Sequence, residues 1–162
     1  MDEKTMRFRE AVRDEDRENV RMIVDSTGFF NPEEVGIAVE LVDARLSMGP
    51  ESGYEFLFAE LGGKVVGYMC YGRIPGTEAS FYLYWIAVEQ GLRGRGIGKE
   101  LMAKTEELVA KRGGRRVYLE TSSRGQYEST RSFYLRCGYA AEALLKDFYS
   151  PGDGKVIFVK VV

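Results

Sequence analysis

Residues 88–102 read VEQGLRGRGIGKELM, and the fold turns on how they are interpreted. The stretch before them, FYLYWIAV (81–88), is apolar on both faces, as a strand in the middle of a covered sheet must be. From the last glycines of the stretch onward, Ile97, Leu101, Leu108 and Val109 recur at helical spacing, ending before Gly113-Gly114. A strand therefore runs through a glycine-rich turn straight into a helix. Glycines let a backbone approach a ligand closely, and the N–H groups of a helix N-terminus favour negative charge. Arg93 and Arg95 add donors for charge-assisted hydrogen bonds. The whole suits a phosphorylated ligand.

Two familiar glycine loops do not fit. A P-loop needs G-x-x-x-x-G-K-[ST], but Arg93 stands where the first glycine belongs and Glu100 where the hydroxyl belongs. The dinucleotide pattern G-x-G-x-x-G, begun at Gly94-x-Gly96, meets Lys99 in place of its third glycine. The pattern that does fit is R-x-x-G-x-G, as Arg93-Gly94-Arg95-Gly96-Ile97-Gly98.

The 162 residues suffice for one domain with a substantial core, and no linker or repeat marks a boundary within 1–162. A net charge of −2 argues against a general nucleic-acid binder, although Lys111-Arg112-Gly113-Gly114-Arg115-Arg116 makes the middle of the chain basic. No apolar run reaches membrane-span length, and the charged start MDEKTMRFRE lacks a signal-peptide core, so the expected location is cytoplasmic. Cys70 and Cys137 have no metal-ligand spacing and there is no histidine, so no metal is expected. Both cysteines read as structural thiols. Any general base must be a carboxylate, a tyrosine, a lysine or water.

Taken in order, Met6–Val12 reads as a strand and Asp14 as the cap of a helix running to Thr27. Asn31-Pro32-Glu33-Glu34 starts a second helix that Gly49-Pro50 ends. Tyr54–Leu61 and Lys64–Arg73 form a hairpin about Gly62-Gly63. After the strand and helix around the glycine turn come a strand at Val117–Thr121 and a helix over 127–137 capped by Gly138. Ala140–Phe148 and Lys155–Val162 form a last hairpin about 151–154. The expected fold is α+β (α/β three-layer), a mixed, mostly antiparallel sheet of about seven strands with helices on both faces.

A second motif, Ser132-Phe133-Tyr134-Leu135-Arg136-Cys137-Gly138-Tyr139, ends the fourth helix. With Arg93–Gly98, in this order on these elements, it resembles the GCN5-related N-acetyltransferases (GNAT). The resemblance covers the chain from about residue 5 to about residue 160. It implies a GNAT-like acyl-CoA acyltransferase fold, with acetyl-CoA as co-substrate and an amine-bearing small molecule or peptide as acceptor. The resemblance also implies roles for residues. Arg93, Gly94, Arg95, Gly96, Ile97 and Gly98 would hold the CoA pyrophosphate. Ile86, Ala87 and Val88 would pair with the pantetheine arm, a backbone N–H near Ile86 polarising the acetyl carbonyl. Tyr134 takes the place of a general acid that protonates the leaving thiolate, or else packs as an ordinary aromatic. Glu120, at the end of the fifth strand, is the candidate base, or else a glutamate facing solvent or an arginine. Tyr127 stands where the family often has an asparagine that helps hold the cofactor, and the loop before it, Ser122–Gln126, is longer than in the N-terminal acetyltransferases.

Acceptor contacts are expected among Phe29, Phe30, Tyr54, Tyr82, Tyr84 and Tyr149, with Glu33, Glu34 and Asp147 as partners for a cationic amine. Direct attack by the amine, without an acyl-enzyme, follows from the lack of a Cys or Ser beside a histidine. Two alternatives stay open: a non-catalytic acyl-CoA-binding module, and transfer from another acyl-CoA. Nucleic acid and membrane are not expected as partners. The terminal strands are edges through which a homodimer can form.

Overall fold

The structure, a computed structural model, describes residues 5–162. In chain order the elements are β1 (Met6–Arg9), α1 (Asp16–Ser26), α2 (Pro32–Met48), β2 (Glu55–Leu61), β3 (Lys64–Arg73), β4 (Ser80–Val88), α3 (Ile97–Lys111), β5 (Arg116–Ser122), α4 (Glu128–Arg136), β6 (Ala140–Ser150) and β7 (Asp153–Val161). The strands form one sheet in the order β1-β2-β3-β4-β5-β7-β6. The β4–β5 pair is parallel, while β1–β2, β2–β3, β5–β7 and β6–β7 are antiparallel. The expected mixed, mostly antiparallel seven-stranded sheet is what forms. Among the described residues no helix is long and apolar enough to cross a membrane.

The chain divides into two compact units. The residues up to Gly72 with Tyr84–Thr105 make one; Arg73–Leu83 with Glu106–Val162 make the other. In the first unit, Val20, Ile23 and Val24 of α1 and Val35, Ala38, Val39 and Val42 of α2 share a core with Phe56, Phe58, Tyr68 and Cys70. The rings of Phe58 and Tyr68 stack across β2 and β3, their centroids 6.2 Å apart. On the other sheet face, a Cβ at Gly67 would meet Leu101 Cδ1 at 3.3 Å and Ile97 Cγ2 at 3.4 Å. That close approach seats the start of α3 on β3 and places helices on both faces of the sheet. Burial pushes the Cys70 thiol well up, with Glu55 adding to the effect, as for a thiol that packs rather than reacts.

Several boundaries differ from those read in the sequence. Asn31 caps α2 as expected, and Glu34 completes a capping box with it. The start of α1 is different. Its cap position is Glu15 rather than Asp14, and Asp16, the first helical residue, turns inward and is 0% exposed. Its carboxylate accepts from Arg9 Nη1 and Nη2 at 2.7 and 2.9 Å, from the Arg13 N–H at 2.8 Å and from Asn19 Nδ2 at 3.1 Å. Arg9 also holds Glu60 at 2.6 Å and lies over the Phe58 ring, so β1 ends there instead of continuing to Val12. The last hairpin is tighter than expected, with only Pro151 and Gly152 between strands. Asp147, at φ +55°, accepts from the Gly152 N–H at 2.8 Å and folds the strand end over that turn.

Burial raises the Asp16 carboxyl pKa, but Arg9, Arg13 and Asn19 outweigh it, and the net shift is downward. The stabilisation from this ionised group is therefore present above the unfolded carboxyl pKa of about 3.9 and is lost as pH falls through the lower folded value. Removing the carboxylate leaves the largely buried Arg9 with Glu60 alone and strips the Arg13 N–H and Asn19 of their acceptor. Asp16→Ala is expected to cost about 3 kcal/mol of unfolding free energy, read from urea denaturation at neutral pH. A loss under about 1 kcal/mol would show that the pair does not hold α1 to the sheet.

Candidate active site

The glycine turn belongs to the first unit. β4 neighbours β3 in the sheet, and just past its end the Glu89 N–H reaches the Val66 carbonyl at 2.8 Å. Gly94 and Gly96 have φ of +81° and +82°, values that L side chains rarely adopt, and no atom lies within 4 Å of a Cβ built on either. Conformation, rather than crowding, requires glycine at these two positions. The first hydrogen bond of α3 joins the Glu100 N–H to the Gly96 carbonyl at 3.0 Å. The N–H groups of Ile97, Gly98 and Lys99 thus sit at the open helix end, where an anion is favoured.

The two arginines of the turn differ. Arg93 lies over the Phe29 ring at 5.7 Å and donates to Gln90 Oε1 at 3.4 Å. Ser26 Oγ accepts from the Gln90 N–H at 3.3 Å, so the end of α1 and the loop after it are each fastened to the turn. Arg95 is exposed and makes no ion pair with the described residues. Ala87 is buried in the core of this unit, whereas Ile86 and Val88 are half-buried. A pyrophosphate fits this set: flexible backbone, an open helix N-terminus and an uncommitted guanidinium. Nearby aromatics pair up, Phe30 with Trp85 at 4.8 Å and Tyr54 edge-on to Tyr84 at 5.1 Å.

The second unit carries Tyr134 and Glu120. Tyr134, on α4, is buried with its ring 5.7 Å from Phe158 and 6.4 Å from Tyr139. Burial, with a smaller contribution from Cys137, holds its phenol above the ordinary value and therefore protonated. α4 is fixed at both ends. Arg131 Nη1 donates to the Ser122 and Arg124 carbonyls at 2.7 and 2.9 Å, and Lys160 Nζ bridges Glu106 at 2.6 Å and the Cys137 carbonyl at 2.8 Å. Tyr127 closes a single 3-10 turn, Gly125–Tyr127, just before α4, with Arg124 6.0 Å over its ring.

Glu120 does not face an arginine. It is ion-paired with Lys155, whose ammonium also lies 4.4 Å over the Phe148 ring. In the β5–β7 register Leu119 opposes Phe158, Glu120 opposes Ile157 and Ser122 opposes Lys155. Side chains alternate along strands, so Leu119 and Phe158 share the face that receives Tyr134, and Glu120 shares the other face with Lys155. The candidate acid and base therefore stand on opposite faces of the same two strands. Tyr149 lies on the base side: burial, then Glu120, Asp153 and Tyr127, push its phenol up to about 12. Of the expected acceptor carboxylates, Glu34 is taken by the capping box and Asp147 by the hairpin turn. Sequence reasoning missed Lys155 and Arg131. Lys155 meets Glu120 across a strand register, and no local pattern reports that pairing.

Known proteins to which the chain is similar identify its family and fold. The family model described as Acetyltransferase (GNAT) family matches residues 21–139. A crystallised chain from Desulfovibrio desulfuricans, assigned to the GNAT family of acetyltransferases, is 44% identical with a TM-score of 0.95, over 97% of this chain and 99% of that one. An uncharacterised N-acetyltransferase of Methanocaldococcus jannaschii is 31% identical over 105 residues, and the match spans 65% of either chain, just under two thirds. An aminoglycoside 6′-N-acetyltransferase complexed with coenzyme A has a TM-score of 0.74 at 17% identity, over 97% of this chain and 96% of that one, a likeness of fold. The motifs at Arg93–Gly98 and Ser132–Tyr139, the seven-stranded sheet and the family match agree: the chain belongs to the GNAT acetyltransferase family.

Proposed function

We propose that residues 1–162 act as a single acetyl-CoA-dependent N-acetyltransferase domain, moving an acetyl group directly from CoA to a primary amine of a small molecule or peptide. The observation that carries this reading is the Arg93–Gly98 turn, with its two left-handed glycines, open helix N-terminus and uncommitted Arg95. Coenzyme A accompanies the aminoglycoside acetyltransferase of similar fold, which supports the same class of donor here.

In this reading the backbone of Ile86–Val88 aligns the pantetheine arm, and an N–H near Ile86 polarises the thioester carbonyl. The acceptor nitrogen attacks that carbonyl carbon, the C–S bond breaks, and Tyr134 gives its proton to the departing thiolate. Glu120 takes the proton of the amine through water, after exchanging the Lys155 ammonium for that of the acceptor. The Glu120–Lys155 pair favours one alternative, in which Glu120 is structural and solvent takes the proton. Unchanged turnover in Glu120→Gln would select it.

Calorimetric titration should show acetyl-CoA binding to the wild type and at least about tenfold weaker binding to Arg95→Glu, since one charge-assisted contact becomes a repulsion. No binding by the wild type would overturn the assignment of the turn. Tyr134→Phe should bind acetyl-CoA normally yet lose about a hundredfold in kcat, measured by thiol release with a panel of amines. Because burial raises its pKa, Tyr134 should stay protonated across the working range. The 295 nm titrations of wild type and Tyr134→Phe should coincide up to about pH 10, the ordinary phenol value. Divergence below that pH would mean that the phenol ionises too readily to serve as the acid.

A further inference from the structure

One face of β5 and β7 carries an ion pair beside an exposed aromatic surface. Glu120 opposes Ile157 and Ser122 opposes Lys155 in the strand register, so these four side chains share a face. There the Glu120 carboxylate pairs with the Lys155 ammonium, and both side chains are partly covered, Lys155 at 19% exposed and Glu120 at 31%. Lys155 also lies 4.4 Å over the Phe148 ring, and Phe148 meets Tyr149 edge-on at 5.1 Å. Those two rings are 53% and 47% exposed. Arg124 is committed differently. Its partner Asp153, 3.2 Å away and also an acceptor for the Ser122 hydroxyl, is 8% exposed and would be left a buried charge if Arg124 moved. An exchange of partners on this face therefore falls to Lys155.

We propose that, within the transferase reading on which this rests, the acceptor is an α-amino acid bound as a zwitterion. Its ammonium sits on Glu120, its carboxylate on Lys155 and an apolar side chain against Phe148 and Tyr149. The exchange itself argues for that class. A simple amine that displaces Lys155 from Glu120 makes one ion pair and breaks another, leaving a largely covered ammonium without a partner. A zwitterion replaces both partners at once, so no charge is stranded. The lysine has the means to move: its flexible four-carbon stem lets the ammonium draw back, and the Phe148 ring offers it a second resting place. When the amine then gives its proton to Glu120, the carboxylate and Lys155 stay paired. The neutral, attacking amine thus forms with every remaining charge matched. The exposed rings favour a large apolar side chain over a charged one.

Equilibrium binding tests this without the chemistry. Calorimetric titration of the full chain, with and without coenzyme A, compares L-phenylalanine, L-leucine and L-methionine with their amides and with the corresponding decarboxylated amines. At least one of the acids should bind the wild type, and about tenfold or more tighter than its amide and its amine, each of which lacks one charge-assisted contact. Lys155→Met should remove that advantage and bind the decarboxylated amine more tightly than the wild type does, because Glu120 is then unoccupied. Lys155→Arg should keep the preference for the acid. Equal binding of acid, amide and amine by the wild type, or no binding of any acid, would overturn the proposal. So would a preference for the acid that survives Lys155→Met. Failure of acetyl-CoA to bind would count against the transferase reading alone, since the comparison of acid with amide still decides whether Glu120 and Lys155 hold an amino acid.

Discussion

The structure depends on how β4 leaves the sheet. After its nine residues, Ser80–Val88, the strand must end, reverse and become α3 with its N-terminal N–H groups still unused. Two glycines at positive φ, Gly94 and Gly96, make that reversal without strain. A side chain at either position would force the backbone out of the left-handed region and re-aim the start of the helix. β4 and α3 each contribute residues to both compact units.

Around that turn the chain concentrates charge where its overall balance would not suggest it. The net charge is −2, yet Arg93 and Arg95 flank a helix end that already favours anions. One arginine is steadied on Phe29 while the other is left uncommitted. Elsewhere cations are spent on architecture. Arg9 anchors α1 through Asp16, Lys160 ties α3 to the end of α4, and Arg131 ties α4 to the end of β5. Those last two contacts fix the helix that carries Tyr134. With no histidine in the chain, proton transfer falls to groups whose environment must set their protonation state, and burial keeps the Tyr134 phenol protonated.

Local chemistry made much of this legible. The capping box at Asn31, the Gly62-Gly63 hairpin, the apolar run of β4 and the glycine turn are each written in a few adjacent residues, because turns and caps depend on local φ/ψ and nearby hydrogen bonds. The start of α1 shows the limit of such local signals. Asp14 has the chemistry of a cap, but a guanidinium from β1 competes for the helix start through Asp16, and the buried contact prevails.

The sequence by itself determined the element order, the mixed sheet, the anion-favouring turn and the two motifs that mark the family. Tertiary structure alone decided which side chains meet. The β5–β7 register joins Glu120 to Lys155 and puts Tyr134 on the opposite strand face, and the order β5-β7-β6 leaves the apolar β6 at the edge. Strand pairing between distant segments is set by the whole core at once, and a slip of one residue would exchange the two faces. Motifs can name the groups at a site. Only the register fixes which face each of them occupies.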